Sequence, residues 1–262
     1  MIDIHCHILP GLDDGSRNME ESLRMAKDAA ADGVHTIIAT PHHANGTFEN
    51  GAEKIREAVS DLNRELERWN IPLTVLPGQE VRVHRSLIDE CENGNILPLN
   101  EGRYLLLELP PSYVPPYFAD LVHELRVMGK TPIIAHPERN AAVAGEPELL
   151  AQWIELGALC QITSGSLTGL FGKRIQQMAL RLCKRQYVHF IASDGHRPEF
   201  RPIRLADAYE TVRKKFGEER SDYYRMNAHM LIEGREIEAR APEAEARRFF
   251  LSMPFKRRSD MD

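Results

Sequence analysis

The chain of 262 residues has no long hydrophobic run and carries only a mild charge imbalance. No segment approaches the roughly 20 consecutive apolar residues that a membrane-spanning helix needs, so the sequence predicts no stable membrane insertion. The N-terminal segment lacks the basic and apolar regions of a signal peptide, which favours a cytoplasmic location. A formal net charge of −6 gives no reason to expect a nucleic-acid-binding surface.

Cysteine is also scarce, and its spacing is uninformative for metal binding. The four cysteines are Cys6, Cys91, Cys160 and Cys183, and they form neither a CxxC pair nor a zinc-binding pattern. None is followed by Arg six residues later, so the C-x5-R loop of thiol-based tyrosine phosphatases is absent. We interpret the cysteines as free thiols in a reducing compartment, and we expect chemistry that does not use them.

Short β-branched runs alternate with longer helical patterns along the chain. The seven runs that predict buried strands are Ile2–His5, Thr36–Ala39, Leu73–Leu76, Tyr104–Leu107, Pro132–Ala135, Ala158–Ile162 and Val188–Ala192. Strands that alternate with helices predict an α/β fold with a parallel sheet. Seven strands with short connections favour a closed (β/α)7 TIM-like barrel over an open sheet. We predict that this barrel occupies residues 1–234, and that residues 235–262 form a tail or a terminal helix.

Histidines and carboxylates follow six of the seven predicted strands. The candidates are His5, His7, Asp14, His42, Glu80, Glu108, His136, Asp194 and His196. In α/β barrels the carboxyl ends of the strands form the active site. So many imidazoles and carboxylates at one rim would repel and desolvate one another without cations between them. The pattern therefore predicts a metal site for zinc, manganese or iron, without sulfur ligands.

The charge of such a site indicates the class of substrate. Nine ligands can hold three divalent ions, which would outweigh the four carboxylates and leave the site positive. Arg139, soon after His136, and Arg201, soon after His196, are candidates to bind phosphate oxygens with their forked guanidinium groups. A dianionic phosphate monoester is the substrate that fits best, and a divalent ion can activate water at neutral pH.

Not every candidate near the rim is expected to bind metal. His35 and His189 lie at the beginnings of predicted strands, opposite the rim, and are expected to be structural. The segment Gln161–Lys173 follows the sixth strand without offering a ligand. Its hydroxyl groups can donate hydrogen bonds to substrate, or it can be an ordinary Gly/Ser turn that caps the next helix.

A proline-rich loop after the fourth strand carries three aromatic residues, Tyr113, Tyr117 and Phe118. These side chains can line an entrance for an aromatic leaving group. We expect that Phe118 and one of the tyrosines instead pack into the core.

Six stretches of the sequence together resemble a known family. They are MIDIHCHILPGLDDG, TIIATPHH, VLPGQE, IIAHPERN, QITSGSLTGLFGK and FIASDGH. They are similar to the polymerase-and-histidinol-phosphatase (PHP) family and, more narrowly, to its manganese-dependent bacterial tyrosine phosphatases of the CpsB/YwqE type. The resemblance covers residues 1 to about 230. Two positions differ from the usual family pattern, since Ala44 and Arg197 stand where Asn is common.

The resemblance implies a distorted seven-stranded barrel with three Mn²⁺ ions, for which iron, magnesium or zinc can substitute. It implies one ion held by His5, His7, Glu80 and Asp194, a second by Glu80, Glu108 and His136, and a third by Asp14, His42 and His196. It also implies that Arg139 and Arg201 bind phosphate. The substrate would be phosphotyrosine on a phosphorylated tyrosine autokinase that controls capsule or exopolysaccharide synthesis.

Two other functions remain compatible with the sequence. A PHP phosphatase that hydrolyses a small phosphate monoester such as histidinol phosphate would have nearly the same site chemistry. A metal-bound scaffold that docks to a kinase would need no catalysis, although nine rim ligands are more than docking requires.

Overall fold

The computed structural model describes residues 1–240, which contain nine short strands and ten α-helices. The strands are β1 (Ile2–Cys6), β2 (Thr36–Ala39), β3 (His42–His43), β4 (Thr74–Pro77), β5 (Glu80–Arg82), β6 (Tyr104–Glu108), β7 (Thr131–Ala135), β8 (Leu159–Thr163) and β9 (Phe190–Ala192). The helices are α1 (Met19–Ala31), α2 (Ala52–Arg68), α3 (Leu87–Glu92), α4 (Phe118–Val127), α5 (Ala141–Gly145), α6 (Glu148–Glu155), α7 (Ser164–Thr168), α8 (Lys173–Lys184), α9 (Leu205–Phe216) and α10 (Glu218–Ile232).

The strands form two sheets in which every pairing is parallel. One sheet has the order β1-β2-β4, and the other has the order β3-β5-β6-β7-β8-β9. The outer strands β1 and β9 meet at an isolated parallel bridge between Cys6 and Gly195, where the His7 amide donates to the Gly195 carbonyl at 2.8 Å. The predicted α/β fold with parallel strands is confirmed, and each of the seven predicted runs overlaps an observed strand.

After β2 and after β4 the chain breaks for two residues and then continues as a second short strand, β3 or β5, in the other sheet. Pro41 has no amide hydrogen to donate between β2 and β3. Gly78 lies between β4 and β5, where a Cβ would be 2.8 Å from side-chain atoms of both Ile38 and Leu99. After these breaks β3 and β5 pair with each other, and His42 lies directly opposite Glu80. The sequence analysis missed both short strands, and with them the fact that these two site residues are ladder neighbours.

Capping side chains and glycines mark the ends of several helices. The Asn18 side chain accepts a hydrogen bond from the Glu21 amide and so caps the start of α1. Past its end, Gly33 adopts a φ of +86°, which glycine reaches without strain. Glycines also flank α10, which begins directly after Gly217 and is followed by Gly234, with φ values of +90° and +68°.

The last described residues continue to pack against the fold after α10 ends. The Tyr104 hydroxyl donates to the Arg235 carbonyl at 2.5 Å, and Ile237 is only 8% exposed. Residues 235–240 contain no helix or strand. The Phe- and Arg-rich residues 249–258 lie outside the described residues, so the division of the chain at residue 234 stays a prediction. Within residues 1–240, no helix is long and apolar enough to cross a bilayer.

His189 is fully buried directly before β9. Its Nδ1 accepts a hydrogen bond from the Cys160 amide at 3.0 Å, which leaves the proton on Nε2. Burial lowers the pKa of His189 from its ordinary value near 6.5 to about 3. The unfolded chain therefore binds a proton below pH 6.5 that the folded protein does not bind, and the folded state loses stability as the pH falls from 6.5 towards 3.

We predict that His189→Gln reduces this loss of stability in acid. Between pH 7.5 and pH 5, the wild-type protein should lose about 2 kcal/mol more unfolding free energy than the variant, because only the wild type carries this titrating group. Urea denaturation at both pH values measures the difference. Parallel curves for the two proteins, or loss of bound metal in the variant, would contradict a structural role for His189.

Candidate active site

His5 and His7 point the same way from the end of β1, as their spacing predicts. The two Nε2 atoms are 3.2 Å apart. The Nδ1 atom of His5 lies 3.0 Å from the side-chain Oε1 of Gln161, and that of His7 lies 2.6 Å from a carboxylate oxygen of Asp13. Each Nδ1 therefore holds its proton against an acceptor, and the two Nε2 lone pairs face each other. Two lone pairs, or two added protons, would repel at this distance, whereas a cation bound by both nitrogens removes the conflict.

Asp13 organises the loop that follows β1. Besides His7, it accepts hydrogen bonds from the amides of Gly15 at 2.9 Å and His42 at 3.0 Å. Although burial raises the pKa of Asp13, its contact with His7 dominates and lowers it. The loop folds so tightly over His7 that a Cβ at Gly15 would lie 2.2 Å from the His7 carbonyl oxygen, which only glycine avoids. The sequence analysis selected Asp14 and missed this role of its neighbour.

Glu80 is completely buried among four histidines. Its Oε1 is 2.7 Å from His136 Nε2, and its Oε2 is 3.4 Å from the Nε2 atoms of both His5 and His7. Oε2 also lies 2.9 Å from His42 Nδ1, yet neither of these two atoms has a hydrogen-bond partner among the described residues. Buried polar atoms are normally paired, so these two atoms are suited to bind a cation. Burial raises the pKa of Glu80, but His5 and His42 outweigh it and hold the pKa well below its usual range.

Asp194 connects the histidines to two arginines. Its Oδ1 is 3.5 Å from His5 Nε2 and 3.4 Å from His7 Nε2. Its Oδ2 accepts hydrogen bonds from Arg139 and, at 2.8 Å, from Arg201. Burial would raise the pKa of Asp194, but His5 and Arg139 lower it well below its usual range. One carboxylate therefore faces the imidazole cluster on one side and two guanidinium groups on the other.

Asp14, His42 and His196 form the outer part of the cluster. One oxygen of Asp14 is 3.5 Å from His42 Nε2 and 3.4 Å from His196 Nε2. The Nδ1 of His196 lies 2.9 Å from the Asp194 carbonyl oxygen, which orients its Nε2 towards Asp14. Burial and the nearby His7 lower the pKa of His196, so its imidazole is neutral near pH 7 and can act as a ligand. The Asp14 side chain is 57% exposed and marks the mouth of the site.

Glu108 lies at the edge of the cluster, near His42. Its Oε2 accepts hydrogen bonds from Arg82 at 2.9 Å and lies 3.9 Å from His42 Nδ1. Burial and the charge of Glu80 raise the pKa of Glu108 despite Arg82. Arg82 holds the Glu108 carboxylate in place. The sequence analysis identified Glu108 but not this role of Arg82.

The structure brings all nine sequence-predicted ligands together, but it groups them differently from the expected sets. The groups with donor atoms within 4.8 Å of one another are His7, Asp14, His42 and His196; His5, His7 and Glu80; and His42, Glu80 and Glu108. His42 thus accompanies Glu80 and Glu108, where the resemblance implied His136. The distribution of the ligands over individual ions stays a prediction.

Two site residues adopt a backbone conformation that is rare outside glycine. His136, directly after β7, has a φ of +33°, and Asp194, just after β9, has a φ of +50°. Such conformations cost free energy and persist where the surrounding structure imposes them, often at functional sites. Both turns aim the side chain inwards immediately beyond a strand, a detail that no sequence pattern reveals.

The cysteine thiols are unsuited to nucleophilic chemistry. Burial raises the pKa of Cys91 to about 11 and that of Cys183 to about 12, and it raises the pKa of Cys6 and Cys160 as well. All four thiols are therefore protonated near pH 7, and Cys6 faces away from the imidazoles that flank it in sequence.

Comparison with known proteins places this site in a family. Residues 1–233 match the family described as capsular polysaccharide synthesis, CpsB/CapC. The chain belongs to this family. It is 42% identical to the tyrosine-protein phosphatase YwqE of Bacillus subtilis, over 95% of this chain and 98% of that protein. It is 37% identical to the putative tyrosine-protein phosphatase CapC of Staphylococcus aureus, over 92% of this chain and 95% of that protein.

A solved structure of the CpsB/CapC family resembles this chain in fold as well as in sequence. It comes from work on YwqE from Bacillus subtilis and CpsB from Streptococcus pneumoniae, described there as unique metal-dependent tyrosine phosphatases. It matches with a TM-score of 0.91 at 42% identity and covers 93% of this chain and 98% of that chain. The family resemblance predicted from the six motifs is confirmed.

We predict that Asp13→Asn weakens manganese binding by this CpsB/CapC family member. The change removes the charge that fixes the His7 ring, and loss of such a partner typically lowers metal affinity about 10- to 100-fold. Titration calorimetry of the metal-stripped protein with Mn²⁺ measures the affinity. Asp61→Asn, on the exposed face of α2, is the matched control and should bind Mn²⁺ normally. Equal affinities for the two variants would contradict the role of Asp13.

Proposed function

We propose that the chain is a metal-dependent protein-tyrosine phosphatase. The observation that carries this proposal is the position of Asp194, whose two oxygens face an imidazole cluster and a pair of arginines. Divalent cations beside paired guanidinium groups form a site that suits a phosphate monoester. The two relatives that match nearly the whole length of this chain are named a tyrosine-protein phosphatase and a putative tyrosine-protein phosphatase. These names support phosphotyrosine as the substrate.

We propose that the nine clustered side chains hold three divalent ions, with Mn²⁺ as the native metal and iron, magnesium or zinc as possible substitutes. The ligands are His5, His7, Asp14, His42, Glu80, Glu108, His136, Asp194 and His196. The facing Nε2 atoms of His5 and His7 and the unpaired Oε2 of Glu80 support cation binding. When bound, such ions polarise the phosphoryl group and lower the pKa of water to about 7, which makes a nucleophile available.

Arg139 and Arg201 would bind and orient the phosphate. Each guanidinium uses one nitrogen to donate to Asp194, so other N–H groups remain for phosphate oxygens. Their side chains are 26% and 24% exposed, which leaves them accessible while they are partly shielded from water. Fixed donors of this kind stabilise the negative charge of the phosphoryl oxygens during transfer.

The surroundings of the cluster offer contacts for an aryl leaving group. Phe48 stacks beside His42 with ring centroids 6.2 Å apart, and the Tyr113 side chain in the proline-rich loop is 56% exposed. Phe118 is fully buried and packs edge-on against Trp153. Phe118 therefore packs in the core as predicted, and Tyr113 remains available for a phenolic ring.

The finer architecture and the biological setting also belong to this proposal. We propose that the two sheets act as one distorted seven-stranded barrel, which the bridge between Cys6 and Gly195 supports. The substrate would be a phosphorylated tyrosine autokinase in capsule or exopolysaccharide synthesis, in keeping with the family description. A reducing cytoplasm suits the four free cysteines.

Substrate preference tests the proposed function directly. We expect the manganese-loaded protein to hydrolyse phosphotyrosine peptides with a kcat/KM at least about tenfold above that for histidinol phosphate, a difference of about 1.4 kcal/mol. EDTA should abolish turnover and Mn²⁺ should restore it. A preference for histidinol phosphate would favour the small-monoester alternative, and metal binding without turnover of either compound would favour the docking scaffold.

Two substitutions should separate metal ligands from phosphate ligands. Glu80→Ala should lower both bound metal and turnover, because Glu80 contacts several parts of the cluster. Arg201→Ala should keep its metal but lose roughly ten- to a few-hundredfold in kcat/KM, since a charge-assisted hydrogen bond contributes about 1.5–3 kcal/mol.

Metal analysis and kinetics on the same samples measure both effects. Arg204→Ala, an exposed arginine after the same loop, is the matched control and should be unaffected. An Arg201→Ala protein that loses its metal, or a Glu80→Ala protein that keeps all of it, would refute the assignment.

A further inference from the structure

The segment between β8 and α8 brings one aromatic ring to both phosphate-binding arginines. The Cζ atom of Arg139 lies 5.4 Å from the centroid of the Phe171 ring, and that of Arg201 lies 5.7 Å from it. The same two guanidinium groups meet at a single oxygen of Asp194. The arginine pair therefore shares two partners, a carboxylate and a phenyl ring.

This arrangement addresses an electrostatic problem of the pair. Two cations that converge on one carboxylate oxygen repel each other, and their combined charge exceeds that of the carboxylate. The face of an aromatic ring carries partial negative charge and attracts guanidinium groups within about 6 Å. The ring also restricts the positions that the two long side chains can occupy.

We propose that Phe171 is a positioning residue that holds Arg139 and Arg201 in their phosphate-binding arrangement. The proposal rests on the proposed role of these arginines as phosphate ligands. Phe171 itself would not touch the reacting atoms, and it would act through the two guanidinium groups.

The segment that carries Phe171 is tied to the turn that carries Arg139. Glu138, which is 2% exposed, accepts hydrogen bonds from the Ser166 hydroxyl at 2.6 Å and from the Thr163 amide at 2.9 Å. Because Glu138 precedes Arg139 in the chain, the ring and one of its arginines are anchored to the same buried carboxylate. The Ser166 hydroxyl donates its hydrogen bond to Glu138, so it is not free to donate one to substrate.

Glycines shape the main chain around Phe171. A Cβ at Gly165 would lie 3.1 Å from Phe171 Cε2 and 3.1 Å from Leu170 Cδ2, tighter than ordinary contacts. Gly169 and Gly172, on either side of the ring, have φ values of +88° and +87°. The chain therefore turns sharply before and after Phe171 and presents the ring to the arginines, which gives the segment a task beyond capping α8.

The test compares variants that remove or keep the aromatic ring. Phe171→Leu should weaken binding of inorganic phosphate to the manganese-loaded protein by about three- to thirtyfold, the range expected for loss of cation–π contacts. Phe171→Tyr keeps the ring and should stay within about twofold of the wild type. Calorimetry gives the phosphate affinity, and kinetics with p-nitrophenyl phosphate show whether KM, kcat or both change. Metal content should be the same in all three proteins.

Two further variants make the outcome unambiguous. Leu170→Ala, at the exposed neighbour of Phe171, controls for disturbance of the segment and should bind phosphate normally. Arg201→Ala reports on the proposed function itself. If Arg201→Ala weakens phosphate binding and Phe171→Leu does not, only the role of Phe171 is overturned.

If Arg201→Ala has no effect, the proposed role of the arginines fails. Equal losses in Phe171→Leu and Phe171→Tyr would show that packing rather than the aromatic face matters, and would also overturn the proposal. Phe171→Met, which retains an apolar side chain without a ring, replaces Phe171→Leu should that variant not fold, with the same expected loss.

Discussion

The buried carboxylate of Asp194 is the contact on which both halves of the site depend. It lies between two imidazoles and two guanidinium groups, with 1% of its side chain exposed. A charge this buried is stable only when it is paired and hydrogen-bonded on both sides. The main chain supports the same contact, since the Asp194 amide donates to the His5 carbonyl at 2.9 Å. The contact between the end of the first strand and the segment after the last strand therefore also joins the proposed metal site to the proposed phosphate site.

The histidine cluster is oriented by residues that do not face the proposed cations. Asp13 and Gln161 accept from the Nδ1 atoms of His7 and His5, and the Asp194 carbonyl oxygen lies against Nδ1 of His196. In each case the partner of Nδ1 leaves Nε2 directed into the cluster. Imidazole can ligate a metal only through an unprotonated nitrogen, so these outer contacts determine which nitrogen is available. The site is thus prepared by hydrogen bonds that lie outside it.

Sequence patterns predicted the part of this arrangement that depends on strand geometry. The spacing of His5 and His7 fixed their common direction, and the position of residues at strand ends indicated a shared rim. The contacts of Gln161 and Phe171 could not be predicted in this way, because each joins segments that are distant in the chain. The breaks that create β3 and β5 were also missed. The break before β3 lies at Pro41, which lacks an amide hydrogen, and the break before β5 lies at the closely packed Gly78. Strands of two or three residues are too short to show a periodic pattern in the sequence.

The balance of charge explains why an anion should complete the site. Glu80 and Asp194 are both buried and ionised, and their partners are imidazoles and guanidinium groups rather than lysines. Imidazoles that bind metal must be neutral, so the positive charge next to Asp194 would come from the proposed cations and the two arginines. One carboxylate oxygen cannot satisfy all the N–H groups of two guanidinium forks. A phosphate group would supply several acceptor oxygens and negative charge where the arginine donors and the proposed cations converge. Substrate binding would therefore satisfy guanidinium N–H groups that Asp194 does not.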